Sequence, residues 1–396
     1  MAYLDHAATT PMLPEAFEAM SALLASPGNP SSLHSSGRRA RRLVEESREI
    51  VARCLGARPA EVVFTSGGTE ANNIALKGIA WNQRDSDPKR KRIIASSVEH
   101  HAILDPIEWL VSSDGFSVTW VEVTDEGQVT PEALREAIGE SPEDVALITV
   151  MMANNEVGTI NNLVELTSIA REHRIRFHTD AVQAPAWLNV NFAELGVCAM
   201  SVSAHKVGGP HGVGALVISR DCNVTPLVHG GGQERDVRSG TLDTAGIVGF
   251  ATALNVATKH QLDTVERIAT LRDDLIQRVQ AIAPDAVLNG STSHRLANNA
   301  HFSFPGCLGD SLLMLLDSAG VECSVGSACN AGVPQPSHVL LAMGADAELA
   351  RCTLRFSLGH NSTQSDVDAL IGALPAAIER AKRAGVPKAN AFASVK

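Results

Sequence analysis

The stretch "SVSAHKVGGPHGVGAL", residues 201–216, decides how the rest of the chain is read. Apolar runs flank it, "AMSVS" before and "VGALVIS" after, with glycines at 208, 209, 212 and 214. The pattern is strand, tight turn, strand. Lys206 stands inside that turn. A surface lysine ordinarily rides on a polar, solvated helix, so an ammonium group between two buried strands calls for a chemical reason.

Upstream, short apolar strands alternate with helical stretches. "EVVFTS" precedes "TEANNIALKGIAW", "KRIIASS" precedes "VEHHAILDPIEWL", and "DVALITVMM" leads through "NNEVGTI" to "LVELTSIAREH". "IRFHTD" and "AMSVSAH" follow, and "GVGALVIS" closes the series. This order predicts an α/β fold with a mainly parallel sheet covered on both faces. Ligands of such sheets sit at the carboxyl ends of the strands, where Ser66, His100, Asn155, Asp180 and His205 fall. Beyond residue 262 the pattern changes to a long helix, "QLDTVERIATLRDDLIQRVQAIA", and shorter strands such as "NNAHFSF" and "CTLRFSLG". The expected division is a large domain over 16–262 and a smaller α+β domain made of 1–15 and 263–396.

Composition excludes several classes. A length of 396 residues, with 44% hydrophobic and 19% charged residues, suits a soluble globular protein of more than one core. The net charge of −11 argues against a general nucleic-acid binder, which needs clustered Lys and Arg. The one basic cluster, "GRRARRLVEESREIVARCLG", has apolar residues at helical spacing (Leu43, Val44, Ile50, Val51, Leu55) and reads as an amphipathic helix with a solvated charged face. The start, "MAYLDHAATTP", lacks the features of a signal peptide, and no run is long and apolar enough for a membrane span. Seven scattered cysteines with no CxxC pair suggest a reduced, cytoplasmic protein without an intrinsic metal site.

The strand ends suggest one chemistry. "FTSGGTEANNIAL" is a strand, a glycine turn and a helix start, and such a start offers backbone N–H groups and the hydroxyl of Thr69 to an anion. It is neither a nucleoside-triphosphate loop nor a dinucleotide fingerprint. "FHTDAVQA" ends a strand on Asp180, which is either a helix cap or a partner for a protonated heterocyclic nitrogen. Pyridoxal 5'-phosphate needs a lysine for its aldehyde, an acid for its ring nitrogen and a cup for its phosphate. Lys206, Asp180 and the glycine turn meet that need. Desolvation among glycines and apolar strands should lower the Lys206 pKa and free its amine.

With those residues in place, the sequence resembles the class V aminotransferases that use pyridoxal phosphate, and among them the cysteine desulfurases of the NifS/IscS kind. The likeness is carried by ten motifs in order: "YLDHAATTP", "GNPSSLH", "TSGGTEANN", "VEHHAIL", "NNEVGTI", "TDAVQA", "SAHKVGGPHGVGAL", "GGGQERDVRSGT", "GSACNAG" and "LRFSLG". It implies a fold type I transferase with a seven-stranded sheet. Lys206 would bind the cofactor and move the proton at the substrate α-carbon. Asp180 would pair with the ring nitrogen, while Asn155 and Gln183 would contact the 3-hydroxyl region. Gly68, Thr69, Ser203 and His205 would hold the phosphate. His100 would stack on the ring and assist proton transfer, whereas His101 receives no role. Thr241 would reach the phosphate of a partner subunit, which implies an obligate homodimer. Arg355, with Asn155, would bind the substrate carboxylate.

The same likeness makes Cys329 the nucleophile that takes sulfur from L-cysteine as a persulfide, leaving L-alanine. An iron–sulfur scaffold or a tRNA-thiolation protein would then accept the sulfur, with Cys329 at most a transient iron–sulfur ligand shared with the scaffold. A thiol of pKa about 8.5 is only ~3% ionised at pH 7, so Cys329 needs local activation. Two positions depart from the family pattern: Asn330 replaces Thr or Ser, and Val325 replaces a hydroxyl residue. The rivals are a selenocysteine lyase or small-acid aminotransferase of the same family, and a non-catalytic sulfur-relay partner. The cysteine in its long loop disfavours the aminotransferase, and the Lys206, Asp180, His100 and Arg355 set disfavours the relay partner.

Overall fold

The computed structural model describes residues 1–326 and 336–384. Cys329 and Asn330 therefore lie outside the described residues, as do residues 385–396.

Twelve strands are described. They are β1 (Ala2–Tyr3), β2 (Val62–Thr65), β3 (Arg92–Ser96), β4 (Ser117–Val121), β5 (Val145–Thr149), β6 (Phe177–Asp180), β7 (Ala199–Ser203), β8 (Gly214–Ile218), β9 (Val287–Asn289), β10 (Asn299–Ser303), β11 (Val321–Glu322) and β12 (Thr353–Ser357). Seven form one sheet in the order β2-β8-β7-β6-β5-β3-β4. β7, β6, β5, β3 and β4 pair in parallel, while β8 runs antiparallel to both β7 and β2. The reversal follows from the opening stretch. A parallel return needs a crossover of a dozen or more residues, and the turn holding Lys206 is too short for one.

Period-two alternation sends successive side chains to opposite faces. Phe64, Ile94, Met200, Val202, Ala215 and Val217 face a core shared with helices 35–54, 163–172 and 244–259. Val63, Ile93, Ala95, Ala199, Leu216 and Ile218 face a second core built on helices 68–86 and 101–114. Both faces are covered, as the continuous apolar strands required.

A further core belongs to the smaller α+β part. There β10 pairs antiparallel with β9 and β12, and Phe302, Phe304 and Phe356 pack against Ile268, Leu275, Leu370 and Leu374. The N-terminal residues join this part: β1 pairs in parallel with β11, and Leu4 lies in the same core. Among the described residues no helix is long and apolar enough to cross a membrane.

The basic helix, Ser35–Cys54, differs from expectation on one point. Its buried face carries Ala40, Val44, Ser47, Arg48 and Val51, with Leu43 and Ile50 only half-buried. Arg48 leaves the solvated face because Glu234, itself fully buried, takes its guanidinium through two bonds of 2.7 Å. Removing either partner would strand a buried charge, at a cost of roughly 3–5 kcal/mol.

Candidate active site

β2, β3, β5, β6 and β7 point their carboxyl ends to one edge of the sheet, and a cavity of about 380 Å³ opens there. Gly68 and Thr69 reach it from the turn after β2, and His100 from the turn after β3. Asn155 follows β5, Asp180 and Gln183 follow β6, and Ser203, His205 and Lys206 follow β7. Arg355 enters from β12 of the smaller part. Thr241 is exposed and does not line this cavity.

Lys206 Nζ donates to the carbonyls of Ala7 (2.6 Å) and Ala8 (2.7 Å). Desolvation, aided by the nearby Arg355, pulls its pKa down to about 8, although Asp5 and Asp180 act the other way. At pH 7.4 a group of pKa about 8 is roughly one-fifth free amine, against ~0.1% for an ordinary lysine. Lowering the pKa from 10.5 to about 8 makes the amine available about two and a half pH units earlier. The rate at which Lys206 captures pyridoxal 5'-phosphate should therefore rise steeply up to pH about 8 and level off above it. Stopped-flow absorbance across pH checks this, since an unshifted lysine would keep gaining up to about 10.4.

Asp180 is buried at the end of β6. Its Oδ1 accepts from Val182 N (2.9 Å) and its Oδ2 from Asn72 Nδ2 (2.7 Å). These bonds fix the carboxylate plane. Asp180 and Lys206 share the cavity yet are not paired with each other, because the ammonium is held by the N-terminal carbonyls instead. Opposite charges kept apart across one cavity are what an aromatic ring bonded to both would need. Glu99, also fully buried, accepts from Met151 N (2.6 Å) and its Oε2 has no partner among the described residues. Burial, with Asp180 beside it, pushes its carboxyl well above the usual range and favours the neutral acid.

His100 caps helix His101–Asp114, its Nδ1 accepting from Ala102 N (3.0 Å). This bond leaves the proton on Nε2 in the neutral ring. Burial lowers the His100 pKa, with Asp180 opposing. His205 is pulled down to about 4 by burial and by Lys206, so it offers a neutral ring beside Thr9 (3.3 Å). At the glycine turn, Gly67 adopts φ +147°, and a Cβ on Gly68 would meet Val182 at 2.7 Å. Side chains at either place would distort the turn. Gln183 donates to Ala7 O (2.9 Å), the carbonyl that also holds Lys206.

Arg355 donates from Nη1 to Asn155 O (2.9 Å) and from Nη2 to Asp5 Oδ1 (2.7 Å). Its buried Nε has no acceptor among the described residues. The guanidinium is thus aimed by two contacts while retaining donors for another carboxylate.

The lysine, the buried acid, the glycine-lined helix start and the neutral histidines fit pyridoxal 5'-phosphate. Several wall residues were missed in the sequence. Asn72 stands one helical turn after Gly68, a spacing that could have revealed it. Ala7, Ala8 and His338 on the wall, and Asp5 and Glu99 behind it, gave no comparable signal. Among the described residues no group of three or more His, Cys, Asp or Glu could hold a metal.

Comparison with known proteins agrees with this geometry. Residues 2–370 match the family model described as aminotransferase class-V. The chain is 56% identical over 392 residues to an IscS-like cysteine desulfurase of Mycobacterium tuberculosis, covering 99% of this chain and 100% of that one. It superposes on the solved structure of a NifS-like protein with a TM-score of 0.88 at 34% identity, covering 96% of this chain and 100% of the other. It also superposes on SspA in complex with cysteine, with a TM-score of 0.79 at 34% identity, covering 92% of this chain and 100% of that chain.

Proposed function

The chain belongs to the class-V aminotransferase family, whose members depend on pyridoxal phosphate, and from that premise we infer that it is a cysteine desulfurase. It takes sulfur from L-cysteine and releases L-alanine. The observation that carries this reading is one cavity holding Lys206, Asp180 and Arg355, with Gly326 and His338 on its wall. Those two residues flank the segment that contains Cys329. With a reductant present, L-cysteine should yield alanine and sulfide in equal amounts. Pyruvate and ammonia in place of alanine would overturn the assignment.

Asp180 would hold the ring nitrogen of the cofactor, Gly68, Thr69, Ser203 and His205 its phosphate, and Asn155 and Gln183 its 3-hydroxyl side. Pyridoxal 5'-phosphate, when bound, supplies an electron sink that weakens the substrate Cα–H bond and polarises the bond to sulfur. Arg355 binds and orients the substrate carboxylate. Lys206 Nζ removes the α-proton and later returns one, and the neutral His100 ring serves as its proton partner. The Cys329 thiolate attacks the substrate sulfur, forming an S–S bond as the Cβ–S bond breaks. The electron pair of the broken bond is taken up at Cβ, which gains a proton on the way to alanine.

The other cysteines of the smaller part support this choice of nucleophile. Burial raises the thiol pKa values of Cys307 and Cys352, and that of Cys323 to about 12. None favours a thiolate near neutrality. An iron–sulfur scaffold or a tRNA-thiolation protein would accept the sulfur, in a reducing cytoplasm that suits the free cysteines among the described residues. The separate cores also support the division into a large domain over 16–262 and a smaller one of 1–15 with 263–396.

Arg355→Lys should raise KM for cysteine roughly tenfold to a hundredfold, the loss of a charge-assisted, forked contact of about 1.5–3 kcal/mol, with cofactor content unchanged. Steady-state kinetics and absorbance read both quantities, and an unchanged KM would assign the carboxylate to another group. Thr241, exposed and away from its own cavity, is free to serve the phosphate of a second copy. Sedimentation at low micromolar protein should show a homodimer, and a fully active monomer would refute the shared site.

A further inference from the structure

β2 is the edge strand of the seven-stranded sheet, bonded on one side to β8. On its other side and just beyond its end, three backbone groups of residues 62, 64 and 66 meet charged side chains. Val62 O accepts from Arg48 Nη1 (2.9 Å) and Arg235 Nη2 (2.8 Å). Phe64 N donates to Glu234 Oε2 (2.8 Å). Ser66 N donates to Glu70 Oε2, and the other oxygen of Glu70 accepts from Arg238 Nε (3.0 Å).

The residues on the covering side form a tight turn. Glu234 and Arg238 bridge each other, and between them Arg235 and Asp236 adopt φ of 53° and 59°. Residues other than glycine seldom take two such angles in succession, so the turn depends on its anchored ends. One end is the buried Arg48–Glu234 pair. The other is Arg238–Glu70, with side chains only about one-fifth exposed (20% and 18%).

Glu70 follows directly on Gly68 and Thr69, where the cofactor phosphate would rest. A carboxylate and a phosphate dianion at one helix start repel each other unless the carboxylate is neutralised. We propose that Arg238 and Glu70 are a positioning pair for the cofactor phosphate: Glu70 fixes the turn through Ser66 N, and Arg238 cancels its charge. This rests on the pyridoxal-phosphate reading above. Neither residue touches the reacting atoms, and neither lines the cavity. Arg238 also lies three residues before Thr241, so the pair ties this chain's phosphate turn to the segment read as serving the partner.

The test compares pyridoxal 5'-phosphate with pyridoxal, which lacks the phosphate, by fluorescence titration of the full-length chain stripped of cofactor. Arg238→Gln should weaken pyridoxal 5'-phosphate about tenfold and leave pyridoxal unchanged, because only the phosphate meets the uncompensated carboxylate. Glu70→Gln should bind pyridoxal 5'-phosphate at least as tightly as the parent, which keeps the test decisive if the arginine variant does not fold. The double variant should return to within about threefold of the parent, as paired charges removed together leave no net repulsion. Equal weakening of both ligands in Arg238→Gln, weakening in Glu70→Gln, or no recovery in the double variant would overturn the pairing alone. A parent that binds pyridoxal 5'-phosphate no better than pyridoxal would instead overturn the phosphate reading beneath it, and the pairing with it.

Discussion

Cys329→Ser retains the yellow cofactor and still binds L-cysteine, but its sulfide production falls by on the order of a thousandfold or more. Serine matches the size of the thiol, yet its oxygen cannot hold a sulfane sulfur. The loss concerns only the group that attacks the substrate sulfur, so spectral changes on adding cysteine should survive. Cofactor absorbance and a sulfide assay separate the two effects. Buried thiols cannot replace Cys329. Cys323, whose residue neighbour Ser324 lines the cavity, is itself held near a pKa of about 12, and Cys352 is almost fully buried. Sustained turnover in the serine variant would remove Cys329 from the mechanism.

Lys206→Ala should lose turnover on a similar scale, on the order of a thousandfold, because binding to the cofactor and proton transfer both depend on Nζ. The fold should persist. The lost side chain leaves the carbonyls of Ala7 and Ala8 without their ammonium donor, but Gln183 still donates to Ala7 O. Borohydride treatment followed by mass spectrometry reads the result directly. The parent should gain one covalently fixed cofactor and the variant none. Fixation at another lysine in the variant would show that Lys206 is misassigned.

The large sheet was legible because strand and helix periods differ, and because a short turn between two apolar strands forces the reversal of β8. The Lys206–Asp180 relation was legible for the same reason: each ends a strand of one sheet. Arg355 was not. Its place depends on how β12 of the smaller part meets the cavity, which no spacing in the chain encodes, and only family likeness pointed to it. The N-terminal turn was hidden more deeply. Ala7 and Ala8 act through backbone carbonyls, which carry no residue-type signal, and their bonds to Lys206 span about half the chain. Arg48 was misread as solvated because its partner, Glu234, is distant in sequence and reaches it only through the folded edge of β2.

A single turnover without reductant tests the central claim most directly. The protein is given L-cysteine, free thiols and persulfides are alkylated, and its peptides are weighed. The account predicts one additional sulfur atom on the peptide containing Cys329, with one alanine released per sulfur retained. Additional sulfur on Cys323 or Cys352, or alanine released with no protein-bound sulfur, would contradict it.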